Sequence, residues 1–473
     1  MNLLAPILAK LTAHGSRTAI IAADGEHASY ADLLGRSERL AAAWQRQGLR
    51  AGDRVLVAMP VGIPLYASLV ALWRLGAVVV FPEPALGLAG LRHALRVTRP
   101  RAFLAAGWFR LLRYWLPELW RVRLVLGANT SAATAADALE TVDIDHPALI
   151  SFTSGSTGQP KAIVRSHGFL ATQNARVAEL LAPQRDDCVD LVGFPVFVLA
   201  NLGLGVTSVL PNWRLQRQEN TDTGRIARHI AAHGVSRALI PPSICAGLAD
   251  HPISPLDAIF TGGGPVFPDL LARLATRLPD ADIVSVYGSS EAEPIAHQRL
   301  AEVTQDDWRA MREGAGLLAG RPIPEIAVKI LDREIVVTGA HVNKGYLDTR
   351  HDQTSKLSLD GAIWHRTGDA GRLDERQRLW LLGRCDGTVG DLPPFGVESA
   401  ARFWKGVEQA ALVSVDDRPV LAIAGDGARQ AEWQAQADRI GDIRVIVLPR
   451  VPLDRRHGSK VDYPALKAAL RRI

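Results

Sequence analysis

The chain has 473 residues, 48% of them hydrophobic and 22% charged. That is an ordinary soluble composition, with length enough for two or three domains. The formal charge of +5 is small for this length and no lysine-rich tail or basic run occurs, which argues against a nucleic-acid partner. The 41 glycines and 28 prolines are spread along the chain and suggest a mixed α/β protein rather than a helical bundle. Cys188, Cys245 and Cys385 are widely spaced without a CxxC pair, against a disulfide framework or a zinc site and in favour of a reducing cytoplasm. The opening "MNLLAPILAKLTAHGSR" has neither the charged start nor the cleavage signature of a signal peptide.

In chain order, "SYADLLGRSERLAAAWQRQG" (29–48) has the spacing of an amphipathic helix, opened by a capping-box pair of Ser29 and Asp32 and ended by Gly48. "DRVLVAM" then predicts a strand, residues 63–75 a helix and "AVVVF" a strand, which together make a βαβ unit. The apolar stretch 63–81 is interrupted by Arg74 and Gly76, so helix, C-cap and buried strand fit it better than a membrane span. "WFRLLRYWLPELWRVRLVL" (108–126) is aromatic and basic, and Pro117 divides it into a short helix and a strand. Surface packing with snorkelling arginines accounts for it most simply. The other reading is weak contact with a membrane surface or a long-chain substrate.

Apolar runs closed by glycine, proline or a polar turn return at 237–242, 256–264 and 281–288. Ligands of parallel sheets sit beyond the carboxyl ends of strands, so the turns at 153–158, 262–264 and 288 are expected around one crevice. From about 326, "AVKIL", "REIVVTG" and "RLWLLG" predict a small β-rich subdomain. After Cys385 come a hairpin-like pair around Asp416 and Asp417, a strand "RVIVLP" and a terminal helix. The expected class is α/β: a large N-terminal domain of βαβ subdomains with a small β-rich subdomain, then a small α+β C-terminal domain.

The loop "SFTSGSTGQPKAIVRSHG" (151–168) carries the clearest chemistry. Gly155 and Gly158 let backbone N–H groups approach an anion, Ser154, Ser156 and Thr157 add hydroxyl donors, and Lys161 adds a point charge. A polyphosphate is the natural target. No Gly-Lys-Ser/Thr triplet follows, so this is not a Walker A loop.

"TSGSTGQPK" (153–161) resembles the phosphate loop of the adenylate-forming superfamily: acyl-CoA synthetases, peptide-synthetase adenylation domains and luciferases. The resemblance implies that Thr153, Ser154, Gly155, Ser156, Thr157, Gly158 and Lys161 hold the phosphates of ATP, Thr157 with a catalytic share. "TGGGP" (261–265) is similar to the turn against adenine, which gives that place to Gly263, Gly264 and Pro265. "VYGSSEAEP" (286–294) resembles the Tyr-Gly-x-Thr-Glu segment, with serine at 290 for threonine. It implies Tyr287 and Gly288 at the purine, Ser290 at phosphate, and Glu291 as a catalytic residue and a hard oxygen ligand to Mg²⁺. "WHRTGD" (364–369) gives Asp369 the ribose hydroxyls, and "LLGRCDG" (381–387) brings Arg384 to the ribose and a hinge at Cys385–Asp386. "VPLDRRHGSKVDYPAL" (451–466) places Lys460 where the family's adenylation lysine stands. The implied domains are 1–384, with the ATP and acyl sites, and a mobile 386–473 carrying Lys460. Only eight lysines occur against 46 arginines, yet both motif positions keep lysine, whose compact ammonium suits a single oxygen.

Two departures narrow the branch. Gly390 stands where acyl-CoA synthetases usually have a lysine ahead of the thiol tunnel, and Val198 replaces the histidine of their Pro-Leu-Phe-His segment. These features, with "FPVFVLANLGLG" (194–205) and the pattern around Lys460, are more similar to olefin β-lactone synthetases. That likeness implies a long-chain 2-alkyl-3-hydroxy acid as partner. It would be adenylated and then closed to a lactone by its own hydroxyl, with Phe194, Phe197 and Gly203 along an acyl channel. Buried sheet packing is the alternative for each phenylalanine. An acyl-CoA or acyl-carrier ligase is the alternative for the whole. His167 and His365 read as structural histidines, and His457 as a base to test for ring closure.

Overall fold

In a computed structural model the described residues are 2–82, 87–129, 139–153, 160–215, 221–454 and 458–472. Ser154, Gly155, Ser156, Thr157, Gly158 and His457 lie outside them. The amphipathic pattern of 29–48 forms the helix Tyr30–Arg46, in which the Ser29 hydroxyl accepts from the Asp32 N–H and the Asp32 carboxylate accepts from the Ser29 N–H. Leu33, Leu40 and Trp44 make its buried face. The βαβ unit follows as strand Arg54–Ala58, helix Ile63–Arg74 and strand Val78–Phe81.

That unit belongs to a six-stranded sheet in the order Leu124–Gly127, Ala102–Ala105, Arg54–Ala58, Val78–Phe81, Pro147–Thr153, Lys161–Ser166. Its pairings are parallel except the last. A second, fourteen-stranded sheet has a parallel centre running Thr207–Val209, Val189–Val192, Arg237–Leu239, Ala258–Gly262, Asp282–Ser289. The short strands after 326 continue this same sheet. Strand Leu317–Pro322 joins Ala292–Arg299 on one side and Leu379–Arg384 on the other. A bulge at Gly320 (φ +88°) makes the junction, where a Cβ would collide with the His297 carbonyl.

The chain leaves the large sheet at Arg384 and passes through the turn Cys385–Gly387. Helix Pro394–Ala401, a three-stranded sheet of Val407–Val415, Arg418–Gly425 and Arg444–Val447, and helices Gln430–Ala437 and Tyr463–Leu470 follow. Two core clusters draw their buried residues from 389–470 alone. The hairpin expected at Asp416 and Asp417 forms with positive φ at both, +50° and +61°, as a two-residue turn matched to strand twist requires. All three cysteines are free. Among the described residues no helix is long and apolar enough to cross a membrane.

One ion pair inside the large sheet is almost wholly buried. Arg237 donates to Asp190 through Nε and Nη2 at 2.8 and 2.9 Å, and through Nη1 to the Leu181 carbonyl at 2.8 Å. The two residues face each other across neighbouring strands. Removing one partner would leave the other charge buried and uncompensated. Asp190→Ala should therefore cost about 3–5 kcal/mol in chemical denaturation, and a cost under about 1 kcal/mol would show that the pair is not desolvated as described.

Candidate active site

The two large sheets and the C-terminal unit enclose a cleft of about 2350 Å³. Thr153, Lys161, Gly263, Gly264, Pro265, Tyr287, Gly288, Ser290, Glu291, Asp369, Arg384 and Lys460 all line it, as do Phe194 and Phe197. Gly203 does not. It lies near the end of helix Phe197–Leu204, and its nearest neighbour is Ile7, so the channel position expected for it is corrected. Val198 is fully buried in the core and also absent from the cleft wall.

Asp369 is held from both sides. Tyr287 Oη donates to its Oδ2 at 2.8 Å and Arg384 Nη1 to its Oδ1 at 2.9 Å. Each oxygen keeps a second acceptor position, so the carboxylate can still grip a diol in a fixed orientation. The Tyr287 hydroxyl is thus engaged with Asp369, an anchor that expected stacking alone does not describe. Glu291 accepts at Oε1 from Tyr346 Oη at 2.9 Å. Its Oε2 carries no hydrogen bond among the described residues, and the Ser289 hydroxyl nearby is buried without a partner. No cluster of three or more acidic, histidine or cysteine side chains able to hold a metal occurs among the described residues. One open carboxylate oxygen fits a hydrated Mg²⁺ that arrives on phosphates better than it fits an all-protein metal cage.

Lys161 Nζ donates to Ser355 Oγ at 3.1 Å and stands 5.4 Å from the Tyr346 ring centre. Lys356 stands 5.2 Å from the same ring centre and donates to the Asn343 carbonyl. Burial drags the Lys356 ammonium down to about 8. His365 is buried, with Nδ1 3.1 Å from the Ser355 carbonyl, and burial lowers its pKa to about 4. His167 accepts from the Leu3 N–H at 3.2 Å and is lowered by burial to the same region. Both are the structural histidines the sequence suggests.

Several parts of the C-terminal unit line the cleft, among them Ser459 and Lys460. Asp454 Oδ1 accepts from the N–H groups of Ser459 and Lys460 at 3.2 and 2.9 Å. Ser459 Oγ accepts from the Ser243 N–H at 3.2 Å. A Cβ on Gly264 would come within 2.7 Å of Ser459 Cβ, so the glycine turn lies against this loop. At the far end the cleft is apolar, lined by Leu65, Leu69, Trp73, Leu170, Val177 and Leu180.

Residues 9–347 match the family described as AMP-binding enzyme. The chain belongs to that family. Membership makes it an ATP-dependent ligase of the acyl-adenylate-forming kind. Its relatives include an olefin β-lactone synthetase of Stenotrophomonas maltophilia, 29% identical over 91% of this chain and 89% of that protein. A 2-succinylbenzoate–CoA ligase of Enterococcus faecalis is 26% identical over 75% and 73%. Among solved structures, ATP-bound MatB of Rhodopseudomonas palustris superposes with a TM-score of 0.82 over 100% of this chain and 99% of that one. At 21% identity that match speaks for the AMP-binding fold alone.

Several polar residues in or beside this cleft escaped the sequence reading. Arg165 is buried, donates to Ser151 Oγ at 2.8 Å and to the Ser290 carbonyl, and so ties strand Lys161–Ser166 to the Ser289–Glu291 turn. A lone arginine in the strand "KAIVRS" was the available signal. Lys356 was visible by the scarcity of lysine that singled out Lys161 and Lys460. The Glu293 side chain makes no hydrogen bond among the described residues. Burial pushes its carboxyl up to about 7, against a partial offset from Arg165. A group whose folded pKa lies above the ordinary 4.5 contributes stability that is present at low pH and lost as pH rises through 7. The melting temperature of Glu293→Gln should therefore gain on wild type between pH 5 and pH 8. A constant gap across that range would contradict the burial of a titrating acid here.

Proposed function

We propose that this enzyme activates a long-chain 2-alkyl-3-hydroxy acid with ATP and Mg²⁺ and then releases it as a β-lactone. The substrate carboxylate attacks the α-phosphorus in line, the bond to pyrophosphate breaks, and acyl-adenylate forms. The 3-hydroxyl oxygen then attacks the acyl carbon, AMP leaves, and the hydroxyl proton passes to a base. No second acceptor has to enter, and proximity makes the internal hydroxyl competitive. The single observation that carries the reading is the Lys460 loop packed on the Gly262–Gly264 turn, across a cleft that also holds Glu291 and Asp369. In this reading Lys460 and Lys161 offset the growing charge at phosphate, Asp369 with Arg384 and Tyr287 orients the ribose, and Glu291 takes Mg²⁺.

Three further features support the branch. The cleft volume of about 2350 Å³ exceeds the ~300–1,000 Å³ of a usual small-ligand pocket, which leaves room for nucleotide and acyl chain together. Its far wall is apolar, with Phe194 and Phe197 5.7 Å apart and edge-on. The olefin β-lactone synthetase of S. maltophilia matches over nearly the whole length of both chains. The proposal includes a division at Cys385–Asp386 into an N-terminal domain and a moving C-terminal domain, and a cytoplasmic location that suits three free cysteines. The CoA-ligase relative favours a second reading, in which the same adenylate is captured by a thiol.

Lys460→Ala should lose about two to three orders of magnitude in ATP–pyrophosphate exchange; unchanged exchange would remove Lys460 from the reaction. Mass spectrometry after incubation of a 3-hydroxy acid with ATP and Mg²⁺, with and without CoA, should find lactone in both samples. A product that appears only with CoA, as a thioester, would transfer the assignment to the second reading.

A further inference from the structure

Segment 108–126 packs as a surface element through Leu112, Leu116, Leu119 and Val122, which are buried in a core cluster, but its aromatic rings stay outside. Trp108, Tyr114, Trp115 and Trp120 are 57%, 76%, 60% and 65% exposed, and Leu111 is 50% exposed. With Leu88 and Val125 these make seven of the eleven large exposed apolar side chains among the described residues, gathered in under a tenth of the chain. Helix Gly87–Thr98, the turns Gly107–Leu111, Leu112–Trp115 and Pro117–Arg121, and edge strand Leu124–Gly127 carry them. The turns are tied together: Trp120 Nε1 donates to the Arg113 carbonyl at 2.8 Å, and the rings of Trp108 and Phe109 stack at 4.0 Å.

The charge around these rings has one sign. Residues 87–127 hold eight arginines against one glutamate, a surplus greater than the +5 of the whole chain, so the remainder is net negative. Arg92, Arg96, Arg99, Arg110, Arg113, Arg121 and Arg123 are exposed. Glu118 is engaged with Arg92 at 3.9 Å, and Arg110, Arg113, Arg121 and Arg123 make no ion pair among the described residues. Exposed apolar patches of this kind mark interaction surfaces. Tryptophan and tyrosine rings interleaved with cations suit the headgroup level of a bilayer, where rings enter the interface and guanidinium groups meet lipid phosphates.

We propose that this surface docks the enzyme on an anionic phospholipid membrane. The Gly107–Arg121 turns follow the carboxyl end of strand Ala102–Ala105, and in the same parallel sheet strands Val78–Phe81 and Pro147–Thr153, two and three places along, end at Phe81 and Thr153 on the cleft wall. Docking there sets the acyl cleft close to a store of apolar substrate. That last clause rests on the proposed function, whereas docking itself is measured with no substrate present.

The test is co-sedimentation of the full chain with vesicles of phosphatidylcholine alone and of phosphatidylcholine with phosphatidylglycerol. Binding is expected to the anionic vesicles only, and to weaken with added salt. Arg110→Glu/Arg113→Glu/Arg121→Glu should lower the apparent affinity at least ~100-fold, and Tyr114→Ser/Trp115→Ser at least ~10-fold. Both variants should keep the melting temperature and ATP–pyrophosphate exchange of wild type. Failure to bind anionic vesicles, or binding indifferent to both variants, would overturn the proposal. So would tighter binding to an oligonucleotide that displaces vesicles, or a stable dimer in light scattering that the aromatic variant dissociates.

Discussion

Ser459 seated on Gly264 is the contact on which the site depends. The glycine turn lines the cleft, and Ser459 approaches Gly264 so closely that no side chain fits between them. Asp454 holds Ser459 and Lys460 by accepting from their backbone N–H groups, while its own N–H donates to the Lys460 carbonyl at 2.7 Å. A second contact steadies the two units. Arg402, beyond helix Pro394–Ala401, pairs with Asp269 at 3.3 Å and covers the Phe267 ring at 3.9 Å. A serine and a glycine thus decide where the lysine of the C-terminal unit stands.

Around this contact the cleft gathers charges that would be costly singly and are tolerable together. Arg165, buried, lies near Glu291 and Glu293, and Lys356, half-buried, near Glu291 and Asp352, so each cation has carboxylates to offset its desolvation. Glu291 sits where these influences meet and remains open on one oxygen. Asp369 is more tightly specified, with one donor on each oxygen. The first arrangement suits an incoming cation and the second an incoming pair of hydroxyls.

Local chemistry was legible in the sequence. The Ser29–Asp32 capping box and the turn at Asp416 and Asp417 each depend on neighbours a few residues apart. What escaped depends on distance along the chain. Tyr346 meets Glu291 across 55 residues and Lys161 meets Ser355 across 194, and no periodicity announces such partners. Gly203 shares a segment with Phe194 and Phe197, yet the helix turns it to Ile7. The aromatic run 108–126 had a composition open to two readings, and nothing in its spacing told which of its rings stay exposed.

Trapping the Ser459 contact tests the central claim most directly. In a Ser243→Cys/Ser459→Cys variant, with Cys385 replaced by serine, mild oxidation should form a crosslink. The crosslinked enzyme should retain ATP–pyrophosphate exchange. Absence of the crosslink, or a crosslinked enzyme that no longer exchanges pyrophosphate, would contradict a Lys460 loop that works while lying against the glycine turn.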